Sequence, residues 1–247
     1  EYTALTEQLH GQTIYLAPDS QSYLNPMDLD LSTDVGESPM LMQADFLLSQ
    51  CELMMASYGN PLMPIEKSLI DRCISLVYRD YLKNPRPENM PILGDLYQCL
   101  REQHNSRADD LATAMEIYVT GSLSYLNHRT NVDLNNRMVC YNISKLGQGL
   151  KKLVMSNVQK HIWQRTAVNR YAGITTRIFL DEFHLLLKEP QTAAYTAEIY
   201  KRFRKWNGIP TSLTQNAKDL LDSSEIENIP ENSDFVLMLN QGASDRN

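Results

Sequence analysis

Apolar positions along this chain follow two patterns. Short runs of consecutive apolar or β-branched residues have the length of strands. They are Thr13–Ala17, Arg137–Ser144, Arg177–Leu180, Ile209–Thr214 and Phe235–Leu239. Between them lie stretches of helical spacing. From Met40 to about Val119 the pattern predicts helices only: one through Phe46, Leu47, Cys51, Met54 and Met55, and a second from Ile65 to Tyr81. Gly59–Asn60–Pro61 separates those two, and Pro85–Arg86–Pro87 ends the second. Two more helices follow over Leu93–Gln103 and Ala108–Val119, the latter with Ser106 as its expected N-cap. Leu146, Leu150, Leu153, Val158 and Ile162 then mark one side of a long amphipathic helix, and another helix runs through Tyr195 to Trp206.

Strands alternating with helices predict an α/β fold with a parallel sheet, helices on both of its faces and functional residues at the carboxyl ends of the strands. Asp181, Glu182, Gln215 and Asn240 all fall at such ends. The helical block interrupts this alternation. We therefore expect three segments: a core part over residues 1–35, an all-α insertion over 36–130 and a second core part over 131–247.

Composition narrows the classes. At 247 residues and 43% hydrophobic, the chain can bury a substantial core. No apolar run is long enough for a membrane span, and Glu1–Tyr2–Thr3–Ala4 is not the start of a secretory signal. Cys51, Cys73, Cys99 and Cys140 form no CxxC pair, which speaks against zinc and against a disulfide framework. The many methionines of the helical block are expected as core filler. The formal net charge of −7 argues against a protein that coats nucleic acid with its whole surface. Between Asp133 and Asp181, however, every charge is basic: Arg137, Lys145, Lys151, Lys152, Lys160, Arg165, Arg170 and Arg177. A solvated helix face accounts for these, and a phosphate-facing surface is the alternative.

The chemistry concentrates at Asp181–Glu182, where an apolar strand runs into two adjacent carboxylates. The first can hold Mg²⁺ through water and the second can polarise the water that attacks a γ-phosphate. An ordinary strand ending in helix-capping acids has the same pattern. Gln215 ends the next strand, and its amide can bond both a water and a phosphate oxygen, or simply close a turn. Arg202, Arg204 and Lys205 close the helix before Gly208. One of them, with Arg204 preferred, is a candidate arginine finger for a neighbouring subunit; stabilisation of a helix C-terminus is the other use of such cations. Arg246, in Asp245–Arg246, is the second candidate finger.

Four blocks, "GQTIYLAPDSQSYLNPMDL", "NHRTNVDLNNRMVCYNISKLG", "TRIFLDEFHLLL" and "RFRKWNGIPTSLTQNAKDLL", resemble the ATPases of conjugative type IV secretion systems in order and spacing. The resemblance implies a RecA-like P-loop core of the class of hexameric DNA and protein pumps, with ATP and Mg²⁺ as cofactors. It implies that Asp181 is the Walker B aspartate and Glu182 the catalytic glutamate. It further implies that Gln215 is the glutamine sensor, that Arg204–Lys205 is the family's RK dipeptide with Lys205 on the nucleotide side, and that the all-α segment is the family's insertion. The implied partners are further copies of the chain, other inner-membrane components of the secretion machine, and DNA. The implied location is the cytoplasmic face of the bacterial inner membrane. A DNA-pumping translocase or coupling protein, and a non-catalytic docking module of the same machine, are the alternatives.

One departure from the family stands out. A GxxxxGK run followed by Ser or Thr occurs nowhere, and Gly147–Lys152 has the spacing of a helix start. In the family the phosphate-binding loop precedes a Glu-Tyr pair that Glu1–Tyr2 resembles. The expectation is a fragment that begins after that loop and hydrolyses almost no ATP by itself.

Overall fold

Two pairs of parallel strands are built from segments far apart in the chain. In the first, Gln12–Tyr15 (β1) lies beside Val139–Asn142 (β2), with Ile14 opposite Tyr141. In the second, Thr176–Leu180 (β3) lies beside Gly208–Ser212 (β4), with Leu180 opposite Ser212. The computed structural model describes residues 2–31, 38–55, 61–187, 190–215, 229 and 232–239. The chain divides into two units, residues 1–158 and 159–247.

The first unit opens with a short helix, Tyr2–Gln8 (α1), that leads into β1. Its helical block consists of Pro39–Met55 (α2), Pro64–Val77 (α3), Arg79–Lys83 (α4), Leu93–Arg101 (α5) and Ser106–Val119 (α6). No strand occurs among the described residues between Tyr15 and Val139, as the spacing predicts. The expected continuous helix from Ile65 to Tyr81 breaks at Tyr78, which ends α3 and caps α4. Tyr78 itself is fully buried, its phenol donating to the Met27 carbonyl and accepting from Gln43 Nε2 at 2.8 Å. Ser106 is not the N-cap of α6. Asn105 is, its Oδ1 accepting from the backbone N–H of Arg107 and Ala108 at 2.9 and 3.3 Å.

Leu47, Met54, Ile70, Ile74, Leu96, Leu100 and Met115 fill the core of this block; Met54, Met55 and Met115 thus serve as packing, whereas Met63 is exposed. Cys51 and Cys73 are buried and free, and burial pushes each thiol up to about 12. The loop Tyr23–Leu31, which turns at Pro26–Met27, runs past the same helices, and side chains meet its buried polar groups. Asn25 donates to the Pro91 carbonyl at 2.8 Å, Gln43 to that of Pro26 at 2.9 Å, Tyr81 to that of Leu29 at 2.9 Å, and Asn157 to that of Leu24 at 3.0 Å.

The long helix Gln148–Tyr171 (α7) starts where the glycine-rich run predicts, with the amides of Leu150 and Lys151 bonded to the Gly147 carbonyl. Leu150, Leu153 and Val158 are buried. In the second unit, β3 leads through a 3-10 turn, Phe183–Leu186, to Pro190–Arg202 (α8), then through a second 3-10 turn, Phe203–Trp206, into β4. Ile178, Phe183, Ile199, Tyr200, Phe203 and Ile229 form its core, with Ile162 and Trp163 of α7 packed against it.

Two expectations fail in this unit. The strand at Arg177–Leu180 is not buried on both faces. Ile178 is turned inward, but Arg177 and Phe179 on one side of the pleat, with Ile209 and Thr211 beside them, are exposed, Phe179 by 67%. Phe235–Leu239 forms no strand. A strand exists by pairing, and among the described residues strands pair only as β1 with β2 and β3 with β4. Its five apolar side chains stay exposed, Phe235 by 95%. Asn240, Asp245 and Arg246 lie outside the described residues.

Candidate functional site

Both strands of the second pair end at the same place, and their backbones keep bonding past the last ladder residues. The Leu213 N–H donates to the Leu180 carbonyl at 2.9 Å, and the Phe183 N–H to the Leu213 carbonyl at 3.0 Å. Phe183 is the anchor. Its ring is 1% exposed and sits in the core, tilted against Tyr200 at 6.2 Å between centroids. Burying that ring directly after a strand obliges the two preceding residues to turn. Glu182 makes the turn in the left-handed region, φ 48° and ψ 44°, which costs a non-glycine residue about 1 kcal/mol. The turn leaves Asp181 exposed and Glu182 half-buried at the strand ends.

Within this turn the Asp181 Oδ1 accepts the Glu182 N–H at 3.0 Å. Across it, Gln215 Nε2 donates to Glu182 Oε1 at 2.5 Å. His184 Nδ1 lies 3.3 Å from the other carboxylate oxygen, Oε2. The structure thus brings Asp181, Glu182 and Gln215 together and adds His184, to which the sequence reading assigns no role. The signal for it was present in the DEFH run: in a 3-10 turn pinned by Phe183, the residues on either side of that ring emerge next to one another.

Arg204 and Lys205 stand elsewhere. They belong to the turn that precedes β4, so the length of that strand, about 16 Å at 3.3 Å per residue, separates them from the carboxylates. Both are exposed. Arg204 meets Asp234 at 4.0 Å, an exposed pair of little energetic weight.

The donor set fits a hydrated magnesium ion. Among the described residues no group of three His, Cys, Asp or Glu could enclose a metal, and Mg²⁺ needs no enclosure. It keeps several waters and binds through one or two carboxylates together with substrate phosphates. Asp181 offers one exposed carboxylate at a strand end. The glycine-rich backbone cradle and lysine that hold phosphates in such domains are absent from the sequence.

Comparison with known proteins gives the family and the fold. The model of the TraG P-loop domain matches residues 92–245. The chain belongs to that family. No curated protein matches the sequence. Among solved structures, VirB4 of Thermoanaerobacter pseudethanolicus is similar, with a TM-score of 0.79 at 20% identity over 99% of this chain and 68% of that one. The expected resemblance to conjugative transfer ATPases of the P-loop class holds at the level of family and fold. The family is defined by a P-loop domain, and its match here runs through Asp181, Glu182 and Gln215. No helix among the described residues is long and apolar enough to cross a membrane.

Proposed function

We propose that this chain is part of an ATP-hydrolysing motor of a conjugation or type IV secretion machine, powering pilus assembly and the transfer of DNA or protein. The observation that carries the proposal is the 2.5 Å hydrogen bond from Gln215 to Glu182 at the ends of adjacent parallel strands in a TraG P-loop domain. Two polar side chains from strand ends that the sequence separates by the whole of α8 meet at one point.

In this proposal Glu182 orients and polarises the attacking water, each of its oxygens having two lone pairs so that a bonded oxygen still accepts from water. Asp181 would hold Mg²⁺ through a water molecule. The Gln215 amide nitrogen has two N–H donors: one stays on Glu182, and the other is free for a γ-phosphate oxygen, through which Gln215 reports whether nucleotide is present. ATP with Mg²⁺ supplies the phosphoryl group and the neutralising charge. Arg204, with Lys205, lies too far away along β4 to serve the same chain, which suits a role at a neighbouring copy's site; Arg246 is the second candidate. The remaining parts of the proposal are a hexameric ring, a location at the inner face of the bacterial membrane beside other secretion components, and the division into core (1–35 and 131–247) and all-α insertion (36–130).

The test is ATP hydrolysis by the motor with a phosphate-binding segment present, against Glu182→Gln. Loss of turnover by roughly a hundredfold or more, with ATP still bound, is expected for removal of a water-polarising carboxylate. Equal rates would show the Asp181–Glu182 pair to be structural.

A further inference from the structure

We propose that His184 is a positioning residue for Glu182, holding the second oxygen of the carboxylate whose first oxygen Gln215 holds. The proposal rests on the reading of Glu182 as the water-polarising group.

Three observations converge on it. Phe183 is locked into the core and its N–H is bonded to Leu213, so the turn that carries His184 is fixed from both sides. Glu182 in its left-handed conformation and His184 in the 3-10 turn flank that buried ring, and His184 Nδ1 comes within 3.3 Å of Glu182 Oε2. The imidazole is only 18% exposed, and its Nδ1 is shielded from solvent with no aligned hydrogen bond. A buried ring nitrogen left without a partner is disfavoured, and the Glu182 carboxylate oxygen lies 3.3 Å from it. In the proposed contact an Nδ1–H donates to Oε2, while Gln215 donates to Oε1.

The consequence for Glu182 is orientational. The last torsion of a glutamate has a broad, nearly two-fold profile, so a carboxylate held at one oxygen alone can swing. Held at both, it points its remaining lone pairs in one direction, where a water can be met in a fixed geometry. In this proposal His184 acts through Glu182.

Two measurements test it. In this chain, ¹⁵N-detected imidazole spectra at neutral pH should show His184 as the Nδ1–H tautomer, reverting to Nε2–H in Glu182→Ala. Nε2–H in both chains would overturn the contact. In the motor with a phosphate-binding segment, His184→Ala should lower kcat about tenfold with KM for ATP unchanged, the low end for loss of a group that only orients another. His184→Asn, which keeps a short donor, should recover most of that loss. Wild-type kcat in His184→Ala, with circular dichroism unchanged, would overturn the positioning role. Retained turnover in Glu182→Gln would instead overturn the reading of Glu182, and the tautomer measurement still reports the contact by itself.

Discussion

One aromatic ring decides where two carboxylates go. In the sequence, Asp181 and Glu182 are simply the acids that follow an apolar run. In the fold, the burial of Phe183 pulls the backbone inward and forces Glu182 into the left-handed region, and that turn aims its carboxylate at Gln215. The same scale shows a cost that the pattern of α7 conceals. His161 is 8% exposed with its Nε2 unpartnered, and burial, reinforced by the neighbouring Lys160 cation, pushes its pKa down to about 3. An unfolded histidine takes up its proton near 6.5, so between those values the unfolded chain binds more protons than the folded one. Stability therefore falls as pH drops through 6.5 toward 3. Urea melts at pH 7 and pH 5 should show the wild type losing about 2 kcal/mol more than His161→Leu over that interval. Equal losses would mean that His161 is protonated in the folded state.

Elements were legible where local chemistry sets them and blurred where a contact overrides it. The helical block was readable because its apolar spacing and its Gly59–Asn60–Pro61 and Pro85–Arg86–Pro87 breaks are local signals. The division between α3 and α4 at Tyr78 was not: no Gly or Pro marks it, and the phenol's partners, Gln43 and Met27, are distant in sequence. The cap of α6 shifted by one residue because the Asn105 side chain reaches two amides at once. Asn105→Ala should lower stability by about 1 kcal/mol, read in a thermal melt followed by circular dichroism, while Ser106→Ala should be nearly neutral. The start of β4 is governed by packing as well. A Cβ on Gly208 would sit 2.7 Å from the Phe203 ring, so the close approach of strand and turn admits no side chain there.

At the scale of the whole molecule, the distribution of chemistry matters more than its presence. The carboxylates and glutamine gather at one end of the β3–β4 pair, and Arg204 and Lys205 stand at the other. No phosphate cradle occurs in the sequence. We therefore expect the isolated chain to hydrolyse ATP at background rate and to bind it only weakly, which a titration with fluorescent nucleotide and a phosphate-release assay would check. Robust turnover by the purified chain would show that phosphate is held by residues other than a glycine-rich loop.

By itself, the sequence determined the alternation of strands and helices, the helices that separate β1 from β2, and the acids that follow β3 and the amide a few residues beyond β4. These depend on spacing and on residue type within a few positions. Only the tertiary structure decided that Glu182 meets Gln215 and His184, that one face of β3 is exposed, and that Phe235–Leu239 stays out of a strand. The physical reason is common to all three. A hydrogen bond across strand ends, the covering of a sheet face and the pairing of a strand each need a partner from elsewhere in the chain, and apolar or polar patterning states what a segment can bury or bond, not which neighbour it will find.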